Sequence, residues 1–175
     1  MATNIVRVNR GEICSTGKIP DGLQCIQTIR PFEVVEQKSV ISEEAAIKGQ
    51  KVLKITGVFQ KADEPNENYR EYPYDIIKSA VEAIQEDVAA RAVMGEYDHP
   101  KDAKLHLDRV SHLITKVWTE GKYVYGEAEV LEDMPYGKQL ATLLRHRVKL
   151  GISSRGVGEV EEVFTEDAHQ KYIVK

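Results

Sequence analysis

The chain has 175 residues with 24 Lys+Arg against 28 Asp+Glu, a net charge of −4 and a pI near 5.8, so it lacks the basic excess of a nucleic-acid binder. At 42% hydrophobic and 30% charged it can fold around one real core, which excludes wholesale disorder. Its two cysteines, Cys14 and Cys25, form no C-x-x-C pair and support neither a disulfide framework nor a structural zinc site; with no apolar run near membrane-span length, a cytosolic chain without membrane partners is expected.

The first forty residues read as irregular and turn-rich, with one or two short strands in "IQTIRPFEVVEQ". Ser42, followed by Glu43 and Glu44, predicts the N-cap of a short helix ending near Gly49. Residues Lys51 to Gln60, "KVLKITGVFQ", are rich in β-branched side chains and predict a strand, and "KADEPNENYREYP" a polar loop. Pro73 then opens a helix whose apolar stripe of Ile76, Ile77, Ala80, Val81, Ile84 and Val88 runs to about Val93. The segments "RVSHLITKVW" and "KYVYGEAEVL", joined by "TEGK", predict a hairpin that buries Val124, Gly126, Ala128 and Val130 on one face. A second helix follows Pro135, with Leu140, Leu143, Leu144 and Val148 on its apolar side. Strands through "VKLGISSRGVG" and "GEVEEVF" come next, and "KYIVK" reads as mid-strand, as in a chain cut from something longer. Strands with two amphipathic helices packed on them predict an α+β domain or a partly closed barrel.

Chemistry concentrates in two places. "GISSRGVG", from Gly151 to Gly158, sets two hydroxyls and an arginine among three glycines inside a β-forming run. "GEICSTGK" has the wrong glycine spacing for a P-loop, "GISSR" lacks the last glycine of a nucleophile elbow, and no H-E-x-x-H occurs. A serine hydroxyl needs a base, usually histidine, and the chain offers His99, His106, His112, His146 and His169. Only His99 sits in a tight polar turn, where Pro100 restricts its backbone to extended conformations. Strand alternation points Ser153 and Ser154 to opposite faces, so at most one of them meets a histidine. Gly151, Gly156 and Gly158 suit close approach of a peptide backbone or exposed N–H groups. A metal reading competes through Asp98, His99, Asp102, His106, Asp108 and His112, but their spacing matches no compact ligand pattern, and no metal or other cofactor is expected.

Three segments in order resemble the prohead core proteases of T-even-like tailed phages. They are "ITGVFQKADEPNENYREYP", with Asn66, Asn68, Arg70, Tyr72 and Pro73 on an N-x-N-x-R-x-Y-P pattern; "MGEYDHP", similar to that family's G-E-L-N-H-P; and "GISSRGVG", similar to its G-V-S-S-R-G-L-G. Tyr97 and Asp98 depart from the family's Leu and Asn. The likeness covers about Lys51 to the C-terminus. It divides the chain into an N-terminal segment, 1–50, packed on the core, and a serine protease domain, 51–175. It implies a β-barrel-like core flanked by helices, similar to herpesvirus assembly proteases, with Ser153 as nucleophile and His99 as general base. It also implies cleavage of scaffold core and major capsid proteins inside the prohead, in the host cytoplasm, usually after glutamate, and self-cleavage. Arg155 would pair with the substrate glutamate, backbone N–H groups near Arg155 and Gly156 would bind the oxyanion, and Ser154 would line the substrate path.

The third member of a triad stays open among Asp108, Glu96 and His169, with Asp108 preferred; Asp98 is too close in sequence to reach its neighbour's ring. The alternative is a non-enzymatic structural or scaffold-binding module of the same fold, which would have no need to keep Ser153 and His99 within hydrogen-bond reach. A homo-oligomer is compatible with either reading.

Overall fold

The structure, a computed structural model, describes residues 4–6, 24–32, 34–40, 52–66, 69–98, 105–164 and 170–174. Eleven strands appear in it: β1 (Asn4–Val6), β2 (Gln24–Phe32), β3 (Val34–Val40), β4 (Val52–Lys61), β5 (Arg70–Glu71), β6 (Met94–Glu96), β7 (Val110–Glu120), β8 (Tyr123–Val130), β9 (Leu150–Gly158), β10 (Val160–Phe164) and β11 (Gln170–Val174). The helices are α1 (Tyr74–Ala83), α2 (Gln85–Ala89) and α3 (Pro135–Arg145), with a 3-10 turn at Leu107–Arg109. The helix expected after Ser42 lies outside the described residues.

The main sheet has five strands in the order β3-β4-β8-β7-β6, all neighbours antiparallel. Its centre is the predicted hairpin. The two-residue turn Gly121–Lys122 carries Gly121 at φ +55, the glycine-first pattern of a type II′ turn, whose twist suits the strands it joins. The alternation on β8 holds, with Val124, Gly126, Ala128 and Val130 buried; Glu129 is buried too, where Arg91 (2.7 Å) and Lys54 (3.3 Å) compensate its charge. Register shifts leave Phe59, Ser111 and Thr115 as extra residues on their strands, and such bulges bend a sheet.

The strands expected in "IQTIRPFEVVEQ" are β2 and β3, longer than read, and β1 is a strand that the turn-rich reading did not expect. β2 pairs with β9 over nine residues and β3 with β4, because partners far along the chain supply the hydrogen bonds that local composition does not reveal. Pro31 is tolerated because β2 is an edge strand of its sheet, whose order is β1-β9-β2. β2 runs into β3, and β1 lies against β6, so the strands follow a circuit β9-β2/β3-β4-β8-β7-β6-β1 back to β9. A third sheet, β10-β11-β5, extends from the polar loop after β4. There the carboxamide oxygen of Asn66 accepts from the Arg70 N–H (3.1 Å) and a carboxylate oxygen of Asp63 from the Tyr74 N–H (2.9 Å), closing the loop and capping α1.

The helix opened by Pro73 is two pieces. The Gln85 side chain donates to the Val81 carbonyl (2.8 Å), the acceptor its own backbone N–H would otherwise use, and to Val117 O on β7 (3.0 Å). Ile77, Ile84 and Val88 of the stripe are buried, but Ile76 is exposed. α2 then stops at Ala89 instead of continuing to Val93. Arg91 adopts φ +56, and the Ala92 N–H reaches back to Asp87 O, a Schellman closure. α3 ends the same way through Arg147 at φ +55 and the Val148 N–H on Leu143 O, so Val148 lies beyond the helix and is exposed, while Leu140 and Leu144 are buried.

Candidate active site

Leu150 and Ile152 of β9 are buried, and alternation puts Ser154 on their face, where its hydroxyl donates to Gln60 Oε1 at 3.4 Å. Ser153 points to the opposite face and is nevertheless 0% exposed. The backbone beside it is flanked twice: Ser153 is in register with Asn4 of β1, parallel, and with Ile29 of β2, antiparallel. Arg155 lies between Val6 and Gln27, and Gly156 is in register with Ile26 of β2; their side-chain positions are outside the described residues. The expected close approach of a peptide backbone beside Ser153 therefore meets edges already filled by the chain itself.

The second segment rises from β6. Glu96 is wholly buried, and its Oε1 accepts from the His106 N–H at 2.5 Å and lies 3.3 Å from His106 Nδ1. The Tyr97 N–H also donates to Arg109 O at 3.1 Å. These bonds hold Glu96 and Tyr97, which precede His99 in sequence, against His106 and Arg109. The other Glu96 oxygen, Oε2, is buried without a hydrogen-bond partner among the described residues. A buried carboxylate is costly to keep charged unless its oxygens are satisfied, so this oxygen marks a position where a donor is needed.

Beneath β6 lies a serine–histidine contact that belongs to the core. The bulge at Ser111 turns its hydroxyl towards Gly95 O (3.4 Å) and His112 Nδ1 (2.9 Å). The His112 ring borders a small apolar cavity lined by residues that include Phe59, Leu140, Leu144 and Ile152. Burial pushes its pKa down to about 4, so the imidazole is neutral at physiological pH. The ring lies against Gly95: a Cβ there would stand 1.8 Å from Nε2. Glycine precedes Glu96 because the imidazole occupies the space a side chain would need.

Of the residues expected at the site, Ser153 and Ser154 are on β9 as read. His99, His169 and Asp102 lie outside the described residues. Asp108 is exposed on the 3-10 turn, and Asp98 is exposed. Among the described residues no group of three or more His, Cys, Asp or Glu side chains could hold a metal. The contacts that sequence reasoning missed are those of Glu96 with His106 and of His112 with Gly95; the glycine–glutamate pair of "MGEYDHP" was the one local signal for them.

A family model described as prohead core protein serine protease matches residues 19–173. It begins ahead of Lys51, so β2 and β3 fall inside it and β1 outside. The prohead core protein protease of Enterobacteria phage T4 is 37% identical over 112 residues, 63% of this chain and 53% of that protein, so the chain spans about half the length of this curated relative. The solved structure of the bacteriophage T4 capsid assembly protease superposes with a TM-score of 0.72 at 28% identity, over 89% of this chain and 91% of that one.

Proposed function

The chain belongs to the prohead core protein serine protease family, and we propose that it is an endopeptidase in which Ser153 is the nucleophile and His99 its general base. Support comes from the alternation of β9: Ser153 is the serine of "GISSR" on the face opposite Leu150, Ile152 and Ser154. In this reading the Ser153 hydroxyl attacks the scissile carbonyl as His99 takes its proton. The tetrahedral oxyanion rests on backbone N–H groups near Arg155 and Gly156. His99 returns the proton to the leaving amine, and water then releases the acyl group by the same steps. We assign the orienting role to Glu96 over the preferred sequence candidate Asp108. Glu96 is buried, lies just ahead of His99 and keeps one oxygen without a hydrogen-bond partner among the described residues, while Asp108 faces solvent.

Labelling with a fluorophosphonate, located by mass spectrometry, tests the assignment. Label is expected on Ser153, absent in Ser153→Ala and His99→Ala and retained in Ser154→Ala and Asp108→Asn. Glu96→Gln should slow it by roughly 10²–10⁴-fold, the range for losing the residue that orients the base. Label on another serine, or none, rejects the reading.

The substrates we infer are scaffold core and major capsid proteins in the prohead interior, cut after glutamate, with self-cleavage at the end. The T4 relatives are named for the prohead core and for capsid assembly, and the motifs of this chain are similar to that family's. Arg155 is the candidate for pairing with the glutamate carboxylate through its forked guanidinium. Arg155→Ala should lower kcat/KM for a Glu-containing peptide by at least about tenfold and leave its Gln counterpart little changed, since a charge-assisted bond contributes roughly 1.5–3 kcal/mol. An unchanged Glu/Gln ratio rejects the role. The strand circuit flanked by helices also supports a core like that of the herpesvirus assembly proteases; an experimental structure of the free protein with β1 and β6 far apart would count against it.

A further inference from the structure

Both edges of β9 are occupied at Ser153. β1 runs parallel to it, with Asn4, Ile5 and Val6 in register with Ser153, Ser154 and Arg155, and β2 takes the other edge along the whole strand. β1 also lies against β6, the strand that leads into the segment bearing His99. It therefore touches both β9 and β6, and Ser153 is fully buried. A peptide presented by strand addition needs a free edge beside the nucleophile.

The two flanking strands are not equal. β2 holds β9 over nine residues in an antiparallel ladder, whereas β1 contributes three in a parallel one, which is slightly weaker per residue. The family match, residues 19–173, includes β2 and omits β1. β1 is thus the less firmly held of the two strands beside Ser153.

We propose that the β9 edge at Ser153–Arg155 is the docking edge for an extended substrate polypeptide, which binds by main-chain hydrogen bonds and must displace β1 to do so. This rests on Ser153 being the nucleophile. In the free protein β1 holds the substrate's place and limits access to the hydroxyl.

The full chain and its Ile5→Pro variant are compared for the rate of fluorophosphonate labelling at Ser153 and for cleavage of an extended Glu-containing peptide. Proline removes a backbone donor and opposes strand pairing at the middle of β1. Both rates are expected to rise about tenfold, the factor for losing one or two net hydrogen bonds, and a synthetic peptide of residues 1–10 added in trans should bring them back down. A strand that serves only to complete the fold predicts slower labelling in Ile5→Pro. Equal or slower labelling at Ser153 overturns the proposal alone; absence of label on Ser153 in both forms overturns it together with the nucleophile assignment. Should Ile5→Pro fail to fold, hydrogen exchange on the Ser153→Ala chain decides. Substrate peptide must deprotect the amides of residues 4–6, and continued protection while the peptide is bound overturns the proposal.

Discussion

Ser153 and His112 show how far a single residue's surroundings can be inferred from its neighbours. Alternation along β9 separates Ser153 from Ser154, and the structure ties Ser154 to Gln60 as that separation requires. His112 went the other way. In sequence it sits among acidic residues and histidines that resemble metal ligands, yet it is a neutral core residue held by Ser111 and enclosed by apolar side chains. Its environment has a measurable consequence. In the unfolded chain an imidazole binds a proton near pH 6.5, while burial keeps His112 neutral down to about 4. Between those values the unfolded state holds the extra proton, so the stabilisation is complete above pH 6.5 and is lost as pH falls towards 4. The slope is about 1.4 kcal/mol per pH unit for this one group. Urea unfolding measured across that window should lose stability more steeply in the wild type than in His112→Leu. Parallel curves would show that the ring is protonated in the folded state.

At the scale of elements, the hairpin was legible because both of its signals are local: β-branched alternation and a glycine at the turn. The helix ends were not. Arg91 and Arg147 close their helices in a conformation usually left to glycine, and Gln85 interrupts the first helix by bonding to a carbonyl across on β7, so the apolar stripe overran both boundaries. The bulge at Ser111 was equally invisible, although it sets the contact between β6 and β7 on which the His99 segment stands. Gly95→Ala tests that contact. Its methyl group would meet the His112 ring, and neither the strand backbone nor a fully buried imidazole can move aside without cost. The expected loss is about 2–3 kcal/mol in urea unfolding, with a parallel fall in Ser153 labelling, partly restored in the double variant Gly95→Ala/His112→Ala. A tolerated alanine would mean that β6 is free to shift.

Across the whole molecule, the chain's own order determined the family, because three short motifs at fixed places carry information that needs no folding to read. It also determined the strand-rich class with amphipathic helices, since burial of one face imposes a period on each segment. Only the tertiary structure decided what stands beside Ser153. β1 and β2 reach β9 from more than a hundred residues away, and no local pattern specifies which distant strand will satisfy a given backbone edge. The same holds for Glu96 and His112. A buried carboxylate or imidazole looks, in sequence, like any solvated one, and only the packing around it leaves a Glu96 oxygen without a partner among the described residues and keeps His112 neutral.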